Sequence, residues 1–348
     1  MKNKCFVGFQ TDDKRKKALE AESRLIELIG IDSSEYFSRD LLLDDGENLH
    51  VCFFKKVEPI FTEFSCNVII FIHGYAGWGT YFYRMIKILM NTHYIITFDL
   101  PGFGFSSRYD KQIFTCQSSC IDFFINRINQ LVEKLSLERF ILIGHSLGGY
   151  LSGHYVDKYL SRIKKLILLS PAGIIPPREN EKEIWKNKIA AKNKLIGLFA
   201  DRITKNIFDQ KRSPFEYLIK PIIPIVVKKY IKNRKLGIEV SEEKEMAEIQ
   251  TYFLSQTQEA EKCIGYIFRY GSRSETPVIN VFKKNWNFNS NILILYGDND
   301  QMDFNSDKLE IQKYNLKIKV DFIEESDHQL IFQQPQKTVN KIIEFLNN

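Results

Sequence analysis

The chain has 348 residues, 44% of them hydrophobic and 26% charged. That is the composition of a folded globular protein, long enough for one large core or a core with an inserted subdomain, and it excludes intrinsic disorder. The net charge of +6 is uneven: Pro171–Asn287 carries 22 Lys and Arg against 14 Asp and Glu, and the remainder 27 against 29, an asymmetry that bears on partners more than on fold.

The N-terminal stretch to Lys17 holds lysines without an apolar run behind them, so no secretory signal is expected, and Asp12 and Asp13 do not suit a mitochondrial presequence. Lys14–Ile29 reads as a charged helix. Two runs, Tyr36–Leu43 and Asn48–Lys56, flank Asp44-Asp45-Gly46 and predict a hairpin at a sheet edge. Six short runs then read as buried strands: Val68–Ile72, Tyr94–Phe98, Phe140–Ile143, Leu166–Leu169, Ile292–Tyr296 and Val320–Ile323. They are mostly apolar without alternation, as in strands covered on both faces. Helical patterns at Tyr81–Asn91, Cys116–Leu135, Tyr150–Tyr159 and Thr338–Leu346 fill the gaps. Strand–helix alternation at this spacing predicts an α/β fold with a mostly parallel, doubly wound sheet. The helix-rich segment 171–287 breaks the alternation and is expected to be a cap, inserted between a first core part (1–170) and a second (288–348).

The chemistry centres on Gly144-His145-Ser146-Leu147-Gly148, a G-x-S-x-G set between an apolar strand and a helical run. A serine hydroxyl is a weak nucleophile unless a base removes its proton and a sharp turn presents it clear of its own backbone. Glycines at 144 and 148 suit the close strand–helix approach of such a turn. Acyl transfer also needs two N–H donors for the oxyanion, expected from Leu147 and from Tyr75 in His73-Gly74-Tyr75. His73 and Gly74 are read as parts of a structural turn. The base is expected after the final strand, where His328 stands. The acid is expected after Ile292–Tyr296, where Asp300, three residues past Gly297, is the first choice, Asp303 its competitor, and Asp298 reads as a turn cap. The glycines of Asp99–Arg108 miss the dinucleotide-binding spacing and read as a structural turn bordering the pocket.

These motifs resemble the α/β-hydrolase superfamily. The stretches GYLSG, LSPAG and GDNDQMD look most like its lipid-acting branch, with α/β-hydrolase-domain-containing proteins 4 and 5 and the yeast cardiolipin lipase. The resemblance implies a Ser146–His328–Asp300 (or Asp303) triad that hydrolyses acyl ester or N-acyl bonds of phospholipids or lysophospholipids. Coactivator members lack the nucleophilic serine, which is present here. Several members carry His-x-x-x-x-Asp, linked to acyl transfer onto lysophosphatidic acid. Here Gln333 takes the aspartate's place, which weakens that expectation. Alternatives are a soluble small-molecule esterase, a proline-type aminopeptidase, or a non-catalytic lipid-droplet coactivator.

No cofactor and no metal are expected. Six cysteines (Cys5, Cys52, Cys66, Cys116, Cys120, Cys263) form no Cys-x-x-Cys and no evident pairing with histidine, and read as reduced thiols of an intracellular protein. Within 182–235 there are 15 basic residues against 4 acidic. Leu195, Leu198, Phe199, Ile203 and Ile207 share one predicted helical face there. Apolar clusters bordered by lysines suit an anionic bilayer surface, so peripheral membrane or lipid-droplet association of a cytoplasmic protein is expected. The scattered aromatic residues of this piece match no nucleic-acid-binding pattern.

Overall fold

The computed structural model describes residues 6–7, 12–55, 67–192, 202, 204–216, 218, 220–256, 259–270 and 272–348. Cys5, Cys66, Leu195, Leu198, Phe199 and Ile203 lie outside the described residues. The order begins β1 (Phe6–Val7), α1 (Asp13–Leu28), β2 (Tyr36–Leu42), β3 (Asn48–Phe54), β4 (Val68–Ile72), α2 (Tyr83–Leu89) and β5 (Tyr94–Phe98). Next come α3 (Gln117–Lys134), β6 (Phe140–His145), α4 (Leu147–Tyr159) and β7 (Ile163–Leu169). Between β7 and β8 lie α5 (Glu181–Lys192), α6 (Ile223–Asn233), α7 (Val240–Leu254), α8 (Cys263–Ile267) and α9 (Val278–Lys284). The chain then returns through β8 (Ile292–Gly297), α10 (Phe304–Lys313), β9 (Lys319–Ile323), α11 (Leu330–Gln333) and α12 (Pro335–Asn347).

One sheet has the order β1-β2-β3-β5-β4-β6-β7-β8-β9. The β2–β3 hairpin pairs antiparallel, and β5 through β9 form the parallel part. Successive strand residues enter two separate apolar layers: Val68, Ile70 and Ile72 of β4 join one, Ile69 and Phe71 the other. Helices therefore cover both faces, which is why the strands are apolar without alternation. β9 departs from the buried strand expected at Val320–Ile323. It is the last strand of the sheet, and of its residues only Ile323 is buried. Helix α10 was not legible as a helix: it is polar, and only Asp307 and Ile311 are buried.

The insertion between β7 and β8 is anchored to the helices beside it. Helix α7 runs against α1, with Arg24 paired to Glu245 at 2.9 Å and Arg84 to Glu242 at 2.7 Å. Helix α9 packs on α4 so closely that a Cβ on Gly153 would sit 2.3 Å from Val278. Among the described residues the insertion adds no strand to the sheet, an isolated bridge between Arg269 and Arg273 apart.

Beneath α1 the core holds a buried polar network. The two ring nitrogens of His50 face Asp40 and Glu22, both at 3.2 Å, and Arg15 binds Asp40 at 3.0 Å. Thr80 and Tyr36 hydroxyls donate to Glu22. The absence of metal-type pairing between cysteine and histidine, expected from the sequence, needs correction. Residues two apart in a strand share a face, and β3 thereby sets Cys52 beside His50, with the donor atoms of Glu22, His50 and Cys52 all within 4.8 Å of one another. Every one of these groups is already hydrogen-bonded. Burial alone would push His50 down, but Cys52, Asp40 and Glu22 outweigh it and hold the imidazole well above its ordinary value. Its stabilisation is therefore complete below the ordinary 6.5 and is lost as pH rises through the raised folded value. Substituting His50→Leu leaves the buried Glu22 carboxylate without a cationic partner, while Asp40 keeps Arg15, and should cost about 3–5 kcal/mol. Urea denaturation at pH 6 checks this, and a midpoint within error of wild type would refute it.

Candidate active site

Ser146 stands between β6 and α4 with φ 55° and ψ −115°, a left-handed-region conformation that a non-glycine residue adopts only under constraint. The constraint is mutual crowding of strand and helix. A Cβ on Gly144 would lie 2.4 Å from the Gly148 carbonyl oxygen, and one on Gly148 would lie 2.2 Å from the Ile72 oxygen. The turn is pinned on both sides: Ser146 N–H donates to Leu169 O (3.0 Å), and Ser146 O accepts from Tyr150 N–H (3.1 Å) and Ala172 N–H (3.2 Å).

The loop after β4 approaches from the other side. A Cβ on Gly74 would stand 3.0 Å from the Ser146 Cβ, so glycine lets this loop touch the serine. His73 holds the loop's shape. Its Nδ1–H donates to Gly74 O (2.8 Å) and its Nε2 accepts from Leu100 N–H (2.8 Å). Burial lowers it to about 4, so it is neutral at pH 7 with both nitrogens committed. Neither the Tyr75 nor the Leu147 backbone N–H donates a hydrogen bond to a described residue, and both residues line the cavity at Ser146. The Tyr75 side chain donates through its hydroxyl to Glu261 O (3.0 Å) and stacks on Phe215.

His328 lies in the loop after β9, and its Nδ1 is 3.1 Å from Asp300 Oδ1. The Asp300 side chain is 1% exposed. Burial would raise this carboxyl, but the His328 hydrogen bond and charge, with Met302 N–H on the same oxygen, leave it below its ordinary value. Asp303, the competing candidate, is not behind His328. It accepts from Ser306 N–H at the start of α10 and pairs with Arg178 and with Arg273, the latter at 2.9 Å. Asp298 accepts from Glu325 and Ser326 N–H, both at 3.0 Å, and so ties the loop carrying Asp300 to the loop carrying His328.

Two contributors were missed in the sequence. His145 donates from Nε2 to His328 O (2.9 Å), and the two rings sit 4.8 Å apart. Burial first, then the His328 charge, lowers His145 to about 3, so it holds the His328 loop as a neutral donor. A histidine inside the serine motif gives no such signal, because its partner is a backbone atom 183 positions away. Gly297 is the other: a Cβ there would lie 2.4 Å from the Ser326 and Asp327 oxygens. Only a bare backbone lets the two loops cross.

Ser146, His328, Asp300, Tyr75 and Leu147 all open into one cavity of about 950 Å³. Its walls are mostly apolar, including Trp185, Phe215, Val226, Phe253 and Phe268. The turn 99–108 borders it through Phe103, Gly104 and Arg108. Glu261, buried and bonded by the Ser213 hydroxyl, is pushed up to about 7 by burial. The donor set of Glu22, His50 and Cys52 does not line this cavity.

A model of the alpha/beta hydrolase fold matches residues 67–335. The chain belongs to that family. A probable 1-acylglycerol-3-phosphate O-acyltransferase of Oryza sativa subsp. japonica is 25% identical over 282 residues, covering 79% of this chain and 66% of that protein. The chain thus spans about two thirds of that relative's length. Human monoacylglycerol lipase ABHD6 is 23% identical over 289 residues, covering 80% of this chain and 74% of its own. Among solved structures, carboxylesterase CesB of Bacillus subtilis superposes with a TM-score of 0.61 at 14% identity, covering 96% of this chain and 99% of that one. The fold and the lipid-acting branch are those expected from the motifs.

The crossing at Gly297 gives a direct test. Gly297→Ala should cost about 1–3 kcal/mol through overpacking. It should also shift the NMR signals of His328, because the added methyl drives the two loops apart. Unchanged stability and unchanged His328 signals would contradict this account.

Proposed function

We propose that this chain is a serine hydrolase that cleaves acyl ester, or N-acyl, bonds of lysophospholipids or phospholipids. One observation carries the reading: the strained Ser146 turn and the His328–Asp300 pair open together into a large, mostly apolar cavity. In this reading Ser146 Oγ attacks the acyl carbonyl and His328 Nε2 takes the hydroxyl proton. Asp300 fixes the imidazole through Nδ1 and stabilises the imidazolium. The Tyr75 and Leu147 N–H groups receive the oxyanion. His328 then returns the proton to the leaving alcohol or amine, and water, deprotonated by the same imidazole, releases the acyl group. Water as acceptor is supported by Gln333, whose Oε1 accepts from Asp327 N–H (2.8 Å) and whose Nε2 faces Lys235 O (3.4 Å). The amide thus serves the base loop where lipid acyltransferases of this branch carry a carboxylate. The apolar walls suit an acyl chain, and the acyl-lipid names of the relatives point the same way.

Residues 171–287 act in this reading as the cap that selects substrate. Helix α6 buries Ile223, Val227 and Ile231 but exposes Ile225 (68%), Tyr230 (49%) and Val226 (38%), with Lys228, Lys229 and Lys232 alongside. An exposed apolar edge framed by lysines fits a bilayer of anionic lipid, each lysine adding ~1 kcal/mol. No described helix is long and apolar enough to cross a membrane.

Ser146→Ala should abolish labelling by a fluorophosphonate probe and lower kcat by about 10⁶-fold. Asp300→Asn should lower kcat by about 10³–10⁴-fold, and Asp303→Asn by less than about tenfold, since only the former touches the imidazole. Equal labelling of wild type and Ser146→Ala, or equal losses at the two aspartates, would reject the assignment. Replacing Lys228, Lys229 and Lys232 together by Glu should abolish co-sedimentation with phosphatidylserine vesicles. Undiminished sedimentation would remove the docking surface.

A further inference from the structure

The cavity wall carries two arginines, Arg108 and Arg234, and their surroundings differ. Arg108 donates to the carbonyl oxygens of Gly102 and Gly104 and faces the charge of Glu261. Its fork is largely spent on holding the turn 102–108, and its charge has an internal counterpart. Arg234 has neither. Its Nη1 donates to the Tyr230 hydroxyl at 2.8 Å and its guanidinium lies 5.3 Å from that ring's centroid. No carboxylate among the described residues pairs with it, whereas Arg15, Arg24, Arg84, Arg178 and Arg273 each have one. A guanidinium presents five donors in a planar fork, and Tyr230 supplies one acceptor.

The position of Arg234 is as informative as its lack of a counter-charge. It follows α6 directly, and the next residue, Lys235, offers its carbonyl oxygen to Gln333 Nε2 (3.4 Å). Gln333 in turn accepts from Asp327 N–H beside His328. Tyr81, also in the cavity wall, donates to Gln329 on the other side of His328 (2.9 Å) and feels the Arg234 charge. This end of α6 is thus tied to the loop that carries the base, and Arg234 lines the same cavity as Ser146 and His328. An acyl tail would gain nothing from a cation there. An anionic group a glycerol's length from the scissile ester would gain charge-assisted, bidentate hydrogen bonds.

We propose that Arg234 is the headgroup-reading residue of this site, binding the phosphate of a glycerophospholipid whose acyl ester lies at Ser146. The inference rests on the reading of Ser146 as the nucleophile. The phosphate is either a terminal monoester, as in a 1-acylglycerol-3-phosphate, or a diester bearing a further alcohol, as in a lysophosphatidylethanolamine.

The test compares kcat/KM of the full chain on three lipids with one acyl chain: the 1-acylglycerol-3-phosphate, the lysophosphatidylethanolamine and the neutral 1-monoacylglycerol. For Arg234→Ala the ratio of phosphate-bearing to neutral lipid should fall about 10–100-fold. The loss should appear mainly in KM, because the phosphate is held in substrate and transition state alike. Arg234→Lys, which keeps charge without the fork, should restore part of the ratio. A fall on both phosphate lipids supports recognition of the phosphate itself, and a fall on the monoester alone supports recognition of the terminal phosphate. An unchanged ratio in Arg234→Ala overturns the proposal, as does a wild type that turns over only the monoacylglycerol. Thermal unfolding and the rate of fluorophosphonate labelling, measured on each variant, separate a folding defect from a recognition defect. If wild-type protein is neither labelled by the probe nor active on any of the three lipids, the reading of Ser146 fails first. If it is labelled and hydrolyses the neutral lipid with no dependence on Arg234, only the headgroup assignment fails.

Discussion

The crowding of β6, α4 and the end of β4 around Ser146 sets the geometry on which the rest of the site depends. A strand and a helix joined by one residue cannot both keep regular backbone, so the joining residue takes up the conflict as φ 55°. It stays there because Gly144 and Gly148 let the two elements close to distances no side chain would tolerate. Relaxation of that turn would swing the hydroxyl away from the cavity and break the bonds to Leu169 O and Ala172 N–H. The strain is held by the central strands of a sheet packed on both faces, where there is no room for the backbone to yield.

The same economy of backbone joins the other half of the site. The loops after β8 and β9 carry Asp300 and His328 and are fastened to each other. Asp298 bonds across to Glu325 and Ser326, Gly297 admits the Ser326 and Asp327 carbonyls, and His145 holds the carbonyl of His328 from below. The imidazole thus inherits its position from several neutral or charge-assisted bonds spread over three loops. Asp303 works differently: through Arg178 and Arg273 it fastens both the beginning and the later part of the insertion to the loop beyond Asp300. Two aspartates three positions apart therefore have different partners, Asp300 the His328 imidazole and Asp303 two arginines of the insertion.

The insertion shows how one scaffold carries a specific pocket. Its α7 and α9 are bound to α1, α2 and α4 by ion pairs of buried carboxylates with partly exposed arginines and by close glycine contact. By contrast α6 presents lysines and exposed apolar side chains. Both helices line the cavity, α7 through Gln250, Phe253 and Leu254 and α6 through Val226, Val227 and Tyr230. Within 182–235 there are 15 basic residues against 4 acidic, whereas the rest of the chain holds 34 against 39.

The sequence by itself determined the strand–helix alternation, the bounds of β4 and β5, the hairpin, and the serine turn, because these depend on local apolar runs and on glycines at fixed spacing. It also placed a histidine after the last strand. It placed Asp300 ahead of Asp303 without excluding either, since both follow the same strand and only the fold shows which carboxylate lies behind His328. It read Val320–Ile323 as buried, although an edge strand has a neighbour on one side only. It overlooked α10, whose burial is confined to two positions, and it missed the meeting of Glu22, His50 and Cys52, because Glu22 arrives on a separate helix. Tertiary structure alone decided these points: they depend on distances between segments far apart in the chain, and local pattern carries no information about such distances.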